Sequence, residues 1–421
     1  LNQIKNKQIF NLIEIIMRID NVSIIEKLIM DTENILIIQD IDGVCIPLVK
    51  DPLTRKLDKN YIYAAKLLRN EFFVLTCGEH EGFRGVNRII ERALDSKILP
   101  KEKSLYLRGL AACGVEFQNS KGETSFDGIP KKEIDFLELV PDLMRRKSKI
   151  LIKEIFPYMK EENINFHLNK SICDTKFSPT INFNSLFELV QNDLEKIRNI
   201  QIKFENMMNE IIKQASLIGL KKSFFLHISP NLGSKDGKEI IKTSTLNDIG
   251  STDIQLLLKG ATKDSGVLLL INKFLGNKNG KMPFGEDFNI RDCPESIEEK
   301  ISLCKRFISK EDMPLIIGVG DTITSQKNIE GNDYSRGGSD RSFLELIQIL
   351  GEEYKISNKI FFVDSSNGEV FRPSTKNTGM KGITDKDDKL NFDIIFQNGF
   401  EEYNNWFINF AKQRFKFKNK N

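Results

Sequence analysis

A short, almost entirely apolar run at residues 35–39 ends at Asp40, and similar runs recur along the chain with helical segments between them. An apolar run of this length, bounded by turn residues, predicts a strand that is buried on both faces. The alternation of such strands with helices predicts an α/β fold, in which helices wrap a parallel sheet and ligands bind at the carboxyl ends of its strands. Strands are predicted at 35–39, 72–75, 314–319 and 359–363, and helices near 9–30 and at 59–70, 85–94, 265–274 and 341–350.

The alternation is interrupted in the middle of the chain, where the pattern changes to long helices and extended pairs. A chain of 421 residues is long enough for more than one domain, so we predict a core domain interrupted by an inserted one. The predicted units are a helical segment at 1–32, a Rossmann-like core at 33–117 and 259–421, and an α+β insertion at 118–258. Within them we predict a strand pair in 106–117, amphipathic helices at 131–159 and 192–220, extended runs at 223–229 and 253–258, and polar loops at 276–292 and 326–338.

Charge and composition argue against several functions. The 62 basic and 59 acidic residues are interspersed and leave a net charge of +3, so no nucleic-acid partner is predicted, and residues 412–420 are interpreted as a solvated tail. Residues 2–31 contain neither a signal-peptide core nor an unbroken apolar span, which predicts a cytoplasmic protein without a membrane partner. The six cysteines lack CxxC spacing, which favours reduced thiols over disulfides or structural zinc.

Two aspartates one residue apart follow the first apolar strand, in the string ILIIQDIDGVC. A carboxylate at the tip of a strand is exposed for in-line attack on phosphorus, which would split a hydrolysis into two easier steps at Asp40. Asp42 could then protonate the leaving oxygen and later activate water. Gly43, directly after Asp42, permits the close turn. By itself, this string is equally typical of a simple Asx turn after a strand.

A third aspartate, Asp321, follows the apolar strand PLII in the string GVGDTITSQ. Strand-end carboxylates that meet at one sheet edge can share a hard cation, and Mg²⁺ prefers a few carboxylates together with a phosphate oxygen. The sequence therefore predicts a magnesium site that includes Asp321. A Gly-Asp pair is also a common turn signal, so this motif alone means little.

Two further motifs offer groups that could hold a phosphate. Thr76 ends the strand FFVL, and its hydroxyl could bind a phosphoryl oxygen together with the backbone amides of Cys77 and Gly78. Lys263 precedes a predicted helix and could neutralise the charge that develops on the phosphoryl group. Lys235 and Lys238 are the alternatives, but the setting of Lys263, a loop followed by a helix, suits this role better.

These four elements occur in an order that resembles the four motifs of the haloacid dehalogenase superfamily of phosphotransferases. The resemblance implies that Asp40 is the nucleophile, that Asp42 is the acid/base and binds Mg²⁺ through its carbonyl oxygen, and that the insertion is a cap domain of the larger, C2 type. It also implies that Thr76 and Lys263 hold the phosphoryl group and that Asp321 binds the metal. The chain departs from the pattern in one respect, because Thr324 and Ser325 stand where a second acidic residue usually follows. Asp340 is our candidate for that acid, and Asp333 is the weaker one.

Longer strings carry a more specific resemblance, which runs from about residue 31 to residue 370. Among them are QDIDGVCIPLVKDPLTRKLD, LTCGEHEGFRGV, LYLRGLAACGVEF and LIIGVGDTITSQ. They resemble the cyanobacterial glucosylglycerol-3-phosphate phosphatases, which complete the synthesis of an osmoprotectant in salt tolerance. The resemblance implies a sugar-phosphate substrate, and the synthase that makes this phosphate is a candidate partner.

Candidate substrate contacts follow from position relative to these motifs. Glu79, His80 and Arg84 come shortly after Thr76, and His227 and Asn231 lie on a predicted cap hairpin, although a structural role for His227 is nearly as well supported. His167 lacks such a context and is interpreted as a surface or packing residue. Two other functions stay open: a phosphatase for sucrose, trehalose or glucosylglycerate phosphates, because cap contacts set specificity, and a non-catalytic sugar-phosphate sensor.

Overall fold

The computed structural model describes residues 22–173, 175–191, 193–246, 248–328 and 333–419. The predicted helix near 9–30 is described only in part, as helix α1 (22–31), and the remainder lies outside the described residues. The other helices are α2 (Lys59–Leu67), α3 (Val86–Ala93), α4 (Leu99–Glu102), α5 (Lys131–Ile155), α6 (Glu161–Ser171), α7 (Asn184–Phe187), α8 (Leu194–Leu217), α9 (Lys263–Asn279), α10 (Ile297–Phe307), α11 (Arg341–Tyr354), α12 (Thr375–Thr378) and α13 (Phe400–Lys418).

In the part of the chain that the structure describes, the strands form one large sheet, one smaller sheet and two separate hairpins. In chain order they are β1 (Ile35–Gln39), β2 (Phe72–Leu75), β3 (Gly109–Ala111), β4 (Glu116–Gln118), β5 (Thr124–Ser125), β6 (Ile172–Cys173), β7 (Thr180–Asn182), β8 (Phe224–Ser229), β9 (Asn231–Lys235), β10 (Lys238–Ile241), β11 (Asp253–Leu258), β12 (Leu315–Gly320), β13 (Thr324–Lys327), β14 (Tyr334–Gly337), β15 (Lys359–Val363) and β16 (Ile394–Phe396).

The large sheet has the strand order β16-β15-β12-β1-β2-β3-β4-β5. Its strands from β16 to β3 run parallel, and β4 and β5 add an antiparallel edge. Strands β1 and β2 are buried at every position. This is expected for central parallel strands that helices cover on both faces. The predicted α/β fold with a Rossmann-like parallel core and an inserted α+β unit is confirmed.

The inserted unit is built on an antiparallel sheet with the strand order β6-β7-β11-β8. In its register Asp253 lies opposite both Asn182 and Ser229, and Gln255 lies opposite Thr180 and His227. Side chains of directly paired residues share a face, so one face of this sheet is polar. The alternate positions, Ile181, Ile228 and Ile254, pack into the hydrophobic core together with helix α8 residues such as Phe204 and Met208. We call this unit the cap.

Several predicted segments differ from the structure. Strands β4 and β5 belong to the core sheet although they reach residue 125, beyond the predicted boundary at 117. The predicted loop at 326–338 instead contributes to a hairpin of β13 and β14, which are polar and half exposed and so lack an apolar strand pattern. Strands β6 and β7 were not predicted because they have only two and three residues, too few to show a strand pattern.

The prediction that residues 412–420 form a solvated tail is wrong for Arg414, although the side chains of residues 412, 413 and 415–419 are exposed. Helix α13 continues to Lys418, and Arg414 on it is 1% exposed. Its guanidinium donates to both carboxylate oxygens of Glu71, at 2.7 and 2.8 Å. Lysines on the outer face gave this segment a polar composition, while Phe407 and Phe410 on the other face are buried in the core.

The prediction of reduced thiols is also wrong for one pair, because Cys77 and Cys113 form a disulfide. They are 36 residues apart in sequence, and the parallel pairing of β2 with β3 brings the two strand ends together. Cys45, Cys293 and Cys304 are free thiols. Within the described ranges, no helix combines the length and apolar character needed to cross a membrane.

Candidate active site

Three of the predicted site residues follow neighbouring strands of the large sheet. Asp40 comes directly after β1, Thr76 after β2 and Asp321 after β12, and β1 pairs with both of the other strands. Carboxyl ends of adjacent parallel strands meet at one sheet edge, which is where these side chains lie. Lys263 reaches the same edge as the first residue of α9, whose N-cap is Thr262.

The carboxylates of Asp40, Asp321 and Asp340 form a compact buried cluster around the Lys263 ammonium. One oxygen from each carboxylate lies within 4.8 Å of the others, and none of the three residues is more than 6% exposed. Lys263 Nζ lies 2.8 Å from Asp40 Oδ2 and 2.5 Å from Asp340 Oδ1. The sequence motifs therefore converge on one point in space.

Asp340 braces the loop that carries Asp321. Its Oδ2 accepts hydrogen bonds from the backbone N–H groups of Asp321 and Thr322, at 2.8 and 2.9 Å. Asp333, the weaker candidate, is exposed beside the β13–β14 hairpin and does not belong to the cluster.

Gly43 is required where the Asp40 loop passes Asp321. Its φ is +83°, and a Cβ atom there would lie 2.1 Å from Asp321 Oδ2, so a larger residue would be both strained and in collision. The absence of a side chain is what lets the two acidic loops approach each other.

The cluster suits a hard cation. Asp40 Oδ1 and both carboxylate oxygens of Asp321 are buried without a hydrogen-bond partner among the described residues. Burial raises the pKa of Asp321 well above its usual range, and the neighbouring Asp340 and Asp40 raise it further. Burial likewise raises the pKa of Asp40 to about 7, although Lys263 opposes the shift. Buried oxygens without donors are stabilised as carboxylates by a divalent ion, so these residues fit Mg²⁺.

Asp42 lies at the edge of the cluster and is paired with an arginine that the sequence reading missed. Its carboxylate is 2.9 Å from Arg55 Nη1, and its side chain is 32% exposed. Arg55 also donates to the carbonyls of Pro52 and Arg84, so its guanidinium is held in place. The only signal for Arg55 in the sequence was its place in the string DPLTRKLD.

A cavity of about 200 Å³ lies between the core and the cap, directly over the cluster. Asp40, Asp42, Thr76 and Lys263 line it, together with Cys77, Gly78, Glu79 and Arg84. The Thr76 hydroxyl accepts a hydrogen bond from the Gly78 N–H at 3.2 Å, which shapes this loop.

The side chains of Glu79 and His80 hydrogen-bond other parts of the protein. The Glu79 carboxylate accepts the backbone N–H groups of Lys176, Phe177 and Ser178, so it ties a cap loop to the core. His80 is fully buried and does not line the cavity, because its ring nitrogens face the Gly109 carbonyl and the Gln118 amide. Burial lowers the pKa of His80 to about 4, which makes it neutral near pH 7. The prediction that His80 contacts substrate does not agree with this placement.

His227 and Asn231 line a second cavity of about 320 Å³, which adjoins the first at Cys77 and Lys263. The Asn231 Oδ1 atom accepts the N–H groups of Gly233 and Gly338, so this side chain joins the cap hairpin to the core. His167 bonds Ser185 and lines neither cavity.

The cap side of the first cavity includes five residues that the sequence did not single out. They are Thr180, Asn182, Ser229, Asp253 and Gln255, all on the polar face of the cap sheet. Arg372 joins them from the core, and it donates to the Gly250 carbonyl and the Thr252 hydroxyl of the cap. Alternating polar positions on β7 and β11 were the available signal, but β7 is too short to show a period.

Two comparisons of sequence place the chain among known proteins. The family model described as glucosylglycerol-phosphate phosphatase matches residues 34–411. The glucosylglycerol-phosphate phosphatase of Synechocystis sp. is 38% identical over 395 residues, which cover 91% of this chain and 94% of that protein.

Two solved structures are distantly similar to this chain. The C-terminal domain of trehalose-6-phosphate phosphatase from C. albicans is 11% identical with a TM-score of 0.44, covering 92% of this chain and 97% of that one. The Aspergillus fumigatus trehalose-6-phosphate phosphatase is 7% identical with a TM-score of 0.37, covering 93% and 96%. We draw no conclusion about family from TM-scores this low. The sequence matches span nearly the whole chain and confirm the predicted family. The chain belongs to the glucosylglycerol-phosphate phosphatase family.

Proposed function

We propose that this protein is a Mg²⁺-dependent phosphatase that hydrolyses glucosylglycerol 3-phosphate through an aspartyl-phosphate on Asp40, as a step in compatible-solute synthesis. The observation that carries the proposal is that Asp40 and Lys263 line a cavity under the cap and that Asp321 joins Asp40 in one buried carboxylate cluster. The name of the Synechocystis relative supports the substrate class.

In the proposed reaction, an oxygen of the Asp40 carboxylate attacks phosphorus, the bond from phosphorus to the glycerol C3 oxygen breaks, and that oxygen leaves. Asp42 gives that oxygen a proton and then takes a proton from the water that hydrolyses the acyl phosphate. Lys263 and Thr76 bind the phosphoryl oxygens. Arg55 holds the Asp42 carboxylate at 2.9 Å, so Asp42 exchanges this partner for the leaving oxygen when substrate is present.

Asp40 and Asp321 would hold the Mg²⁺ ion, with the Asp42 carbonyl as a further expected ligand. Asp340 is better suited to brace these ligands, because its oxygens are occupied by Lys263 and two backbone N–H groups. When bound, Mg²⁺ would reduce the repulsion between a carboxylate nucleophile and an anionic phosphate.

Mg²⁺ should stabilise the wild-type fold measurably. Without a cation, the pKa of Asp321 is higher in the folded state than in the unfolded state. The free energy of unfolding therefore falls as pH rises from the unfolded-state pKa through the folded-state pKa, because Asp321 ionises less readily when it is buried. At pH 8, Mg²⁺ at about 100 times its Kd should therefore raise Tm by roughly 3–8 °C, as measured by thermal unfolding with Mg²⁺ or with EDTA.

The matched variants are Asp321→Asn and Asp333→Asn. Asp321→Asn removes the buried charge, so its Tm in EDTA should equal or exceed that of the wild type and should barely respond to Mg²⁺. Asp333→Asn changes an exposed carboxylate outside the cluster and should respond as the wild type does. If Mg²⁺ raised the Tm of the wild type, Asp321→Asn and Asp333→Asn equally, the ion would bind at a site that does not include Asp321.

The polar face of the cap sheet suits a glycosyl-glycerol group. Asn182 and Thr252 hydrogen-bond the Asp253 carboxylate, at 2.8 and 2.7 Å, which orients it toward the cavity wall. Gln255 Oε1 is buried without a hydrogen-bond partner in the described part of the chain, so it is an acceptor for a hydroxyl of a ligand. A site built to bond hydroxyl groups discriminates strongly against substrates that lack them.

Phosphate release from a panel of sugar phosphates tests the proposal. With Mg²⁺, kcat/KM should be highest for glucosylglycerol 3-phosphate, and EDTA should abolish turnover. Gln255→Leu should lower kcat/KM for this substrate about 10-fold or more and leave glycerol 3-phosphate, which lacks the glycosyl group, unaffected. A preference for sucrose, trehalose or glucosylglycerate phosphate would reassign the substrate, and tight binding without phosphate release would indicate a sensor.

Two further expectations accompany the proposed function. The cytoplasmic location predicted from residues 2–31 stays a prediction. So does an association with the synthase that supplies the phosphorylated substrate.

A further inference from the structure

A second group of metal-ligating side chains lies beside the carboxylate cluster and takes no part in the proposed reaction. The sulfur atoms of Cys77 and Cys113 and a ring nitrogen of His227 all lie within 4.8 Å of one another. The cysteines follow core strands β2 and β3, whereas His227 is on cap strand β8. All three residues line the second cavity, so the group spans the boundary between cap and core.

The hydrogen bonds of Glu239 determine which nitrogen of His227 is available. Its carboxylate accepts the Ile228 N–H at 2.7 Å and the Asn231 amide at 2.8 Å, and it lies 2.9 Å from His227 Nδ1. A carboxylate that only accepts hydrogen bonds requires the proton to be on Nδ1. The lone pair is therefore on Nε2, which is buried without a partner among the residues described, in a side chain that is 9% exposed.

We propose that the reduced thiols of Cys77 and Cys113 bind one Zn²⁺ ion together with His227 Nε2. Two thiolates and one imidazole form a known three-ligand zinc set that leaves the fourth position for water, and the second cavity provides room for that water. Glu239 would act as the outer carboxylate that fixes the ligating histidine. The proposed ion would explain why the buried Nε2 atom of His227 has no hydrogen-bond partner among the described residues although it lies beside two sulfur atoms.

The disulfide seen in the structure and the metal-bound form exclude each other. A dithiol reductant gives the disulfide two electrons and two protons and is itself oxidised to a disulfide, which frees both thiols. Binding of Zn²⁺ then releases the two thiol protons to solvent, and His227 keeps its tautomer. With Zn–S bonds of about 2.3 Å, the sulfurs would separate to roughly 3.8 Å, which side-chain rotation can supply.

Metal binding at this place would tie the cap to the core. The disulfide connects two core segments only, whereas the three-ligand set adds His227 from the cap sheet. Cys77 directly follows Thr76, so the tie would lie next to the loop that lines the phosphate end of the first cavity. Thiol oxidation state and zinc supply would then both bear on how firmly the cap is held.

Cobalt substitution tests the site without relying on activity. The full chain is reduced with a dithiol, freed of reductant under argon, and titrated with Co²⁺ in excess Mg²⁺, which occupies the carboxylate cluster. We expect a thiolate-to-cobalt charge-transfer band that saturates at one ion per chain and disappears when Zn²⁺ is added. The oxidised protein should show no band, and absence of the band from the reduced wild type would overturn the proposal.

Matched variants assign the ligands. Cys77→Ser combined with Cys113→Ser should abolish the band, and His227→Gln should weaken Co²⁺ binding at least about 10-fold. Cys293→Ser removes a free cysteine outside the group, and Asp321→Asn alters the other cluster, so both should keep the band. A band of full intensity in the double cysteine variant would contradict the assignment.

Discussion

Asp40→Asn is expected to reduce phosphate release by at least about 10⁴-fold while leaving the fold intact. The amide keeps the size of the carboxylate but cannot form the acyl phosphate, so the two-step route is lost. Folding should survive because Lys263 keeps its ion pair with Asp340. Initial rates of phosphate release with Mg²⁺, together with Tm, measure the two effects separately.

The covalent route has its own control. Asp42→Asn keeps the nucleophile but removes the group that protonates the leaving oxygen and activates water, so turnover should fall while acid-quenched labelling with substrate that carries a radioactive phosphoryl group should still detect a phosphoenzyme, which Asp40→Asn cannot form. The Asp333→Asn variant, which changes an exposed residue next to strand β14, should hydrolyse substrate at the wild-type rate. Activity of Asp40→Asn within about 10-fold of the wild type would mean that another group is the nucleophile.

Arg414→Ala is expected to lower the free energy of unfolding by about 3–5 kcal/mol. Its guanidinium is buried between helix α13 and the segment after α1, where it donates to Glu71 and to the carbonyls of Ile29 and Thr32 at 2.7 to 2.8 Å. Truncation would leave the Glu71 carboxylate in the interior with Lys418 as its remaining cation and would strip these carbonyls of a donor. Denaturant unfolding monitored by circular dichroism measures the loss.

Two control variants test whether the loss of stability is specific to Arg414 or follows from any substitution in helix α13. Lys412→Ala replaces an exposed residue on the same helix and should change stability by less than about 0.5 kcal/mol. Combining Arg414→Leu with Glu71→Leu removes both charges and should cost less than Arg414→Ala alone. A loss below about 1 kcal/mol for Arg414→Ala would show that the tail is not held by this pair.

The core strands and the candidate site at their ends were predictable because their signals are local. Strands β1 and β2 are buried on both faces, so each is a continuous apolar run, and the predicted bounds of both agree with the structure. In a parallel sheet the chemistry lies where such runs end, which is why Asp40, Thr76 and Asp321 could be selected by position alone.

Residues that act through distant contacts could not be ranked in the same way. Asp340 and Asp333 are seven positions apart and chemically identical, and only the fold shows that one braces the cluster while the other is exposed. His80 stands beside the phosphate motif in sequence, yet its ring is directed into the protein toward Gly109 and Gln118. Sequence spacing does not report the direction of a side chain in a loop.

The family, the order of core strands and helices, and the carboxylates at the strand ends could all be inferred from the amino-acid sequence, because apolar periodicity and strand-end motifs are properties of consecutive residues. The tertiary structure decided which polar residues of the cap face the cavity, which acid supports Asp321, and that Cys77 meets Cys113 near His227. Those arrangements depend on strand pairing between segments tens of residues apart, such as β7 with β11 and β2 with β3, and no local pattern encodes that pairing.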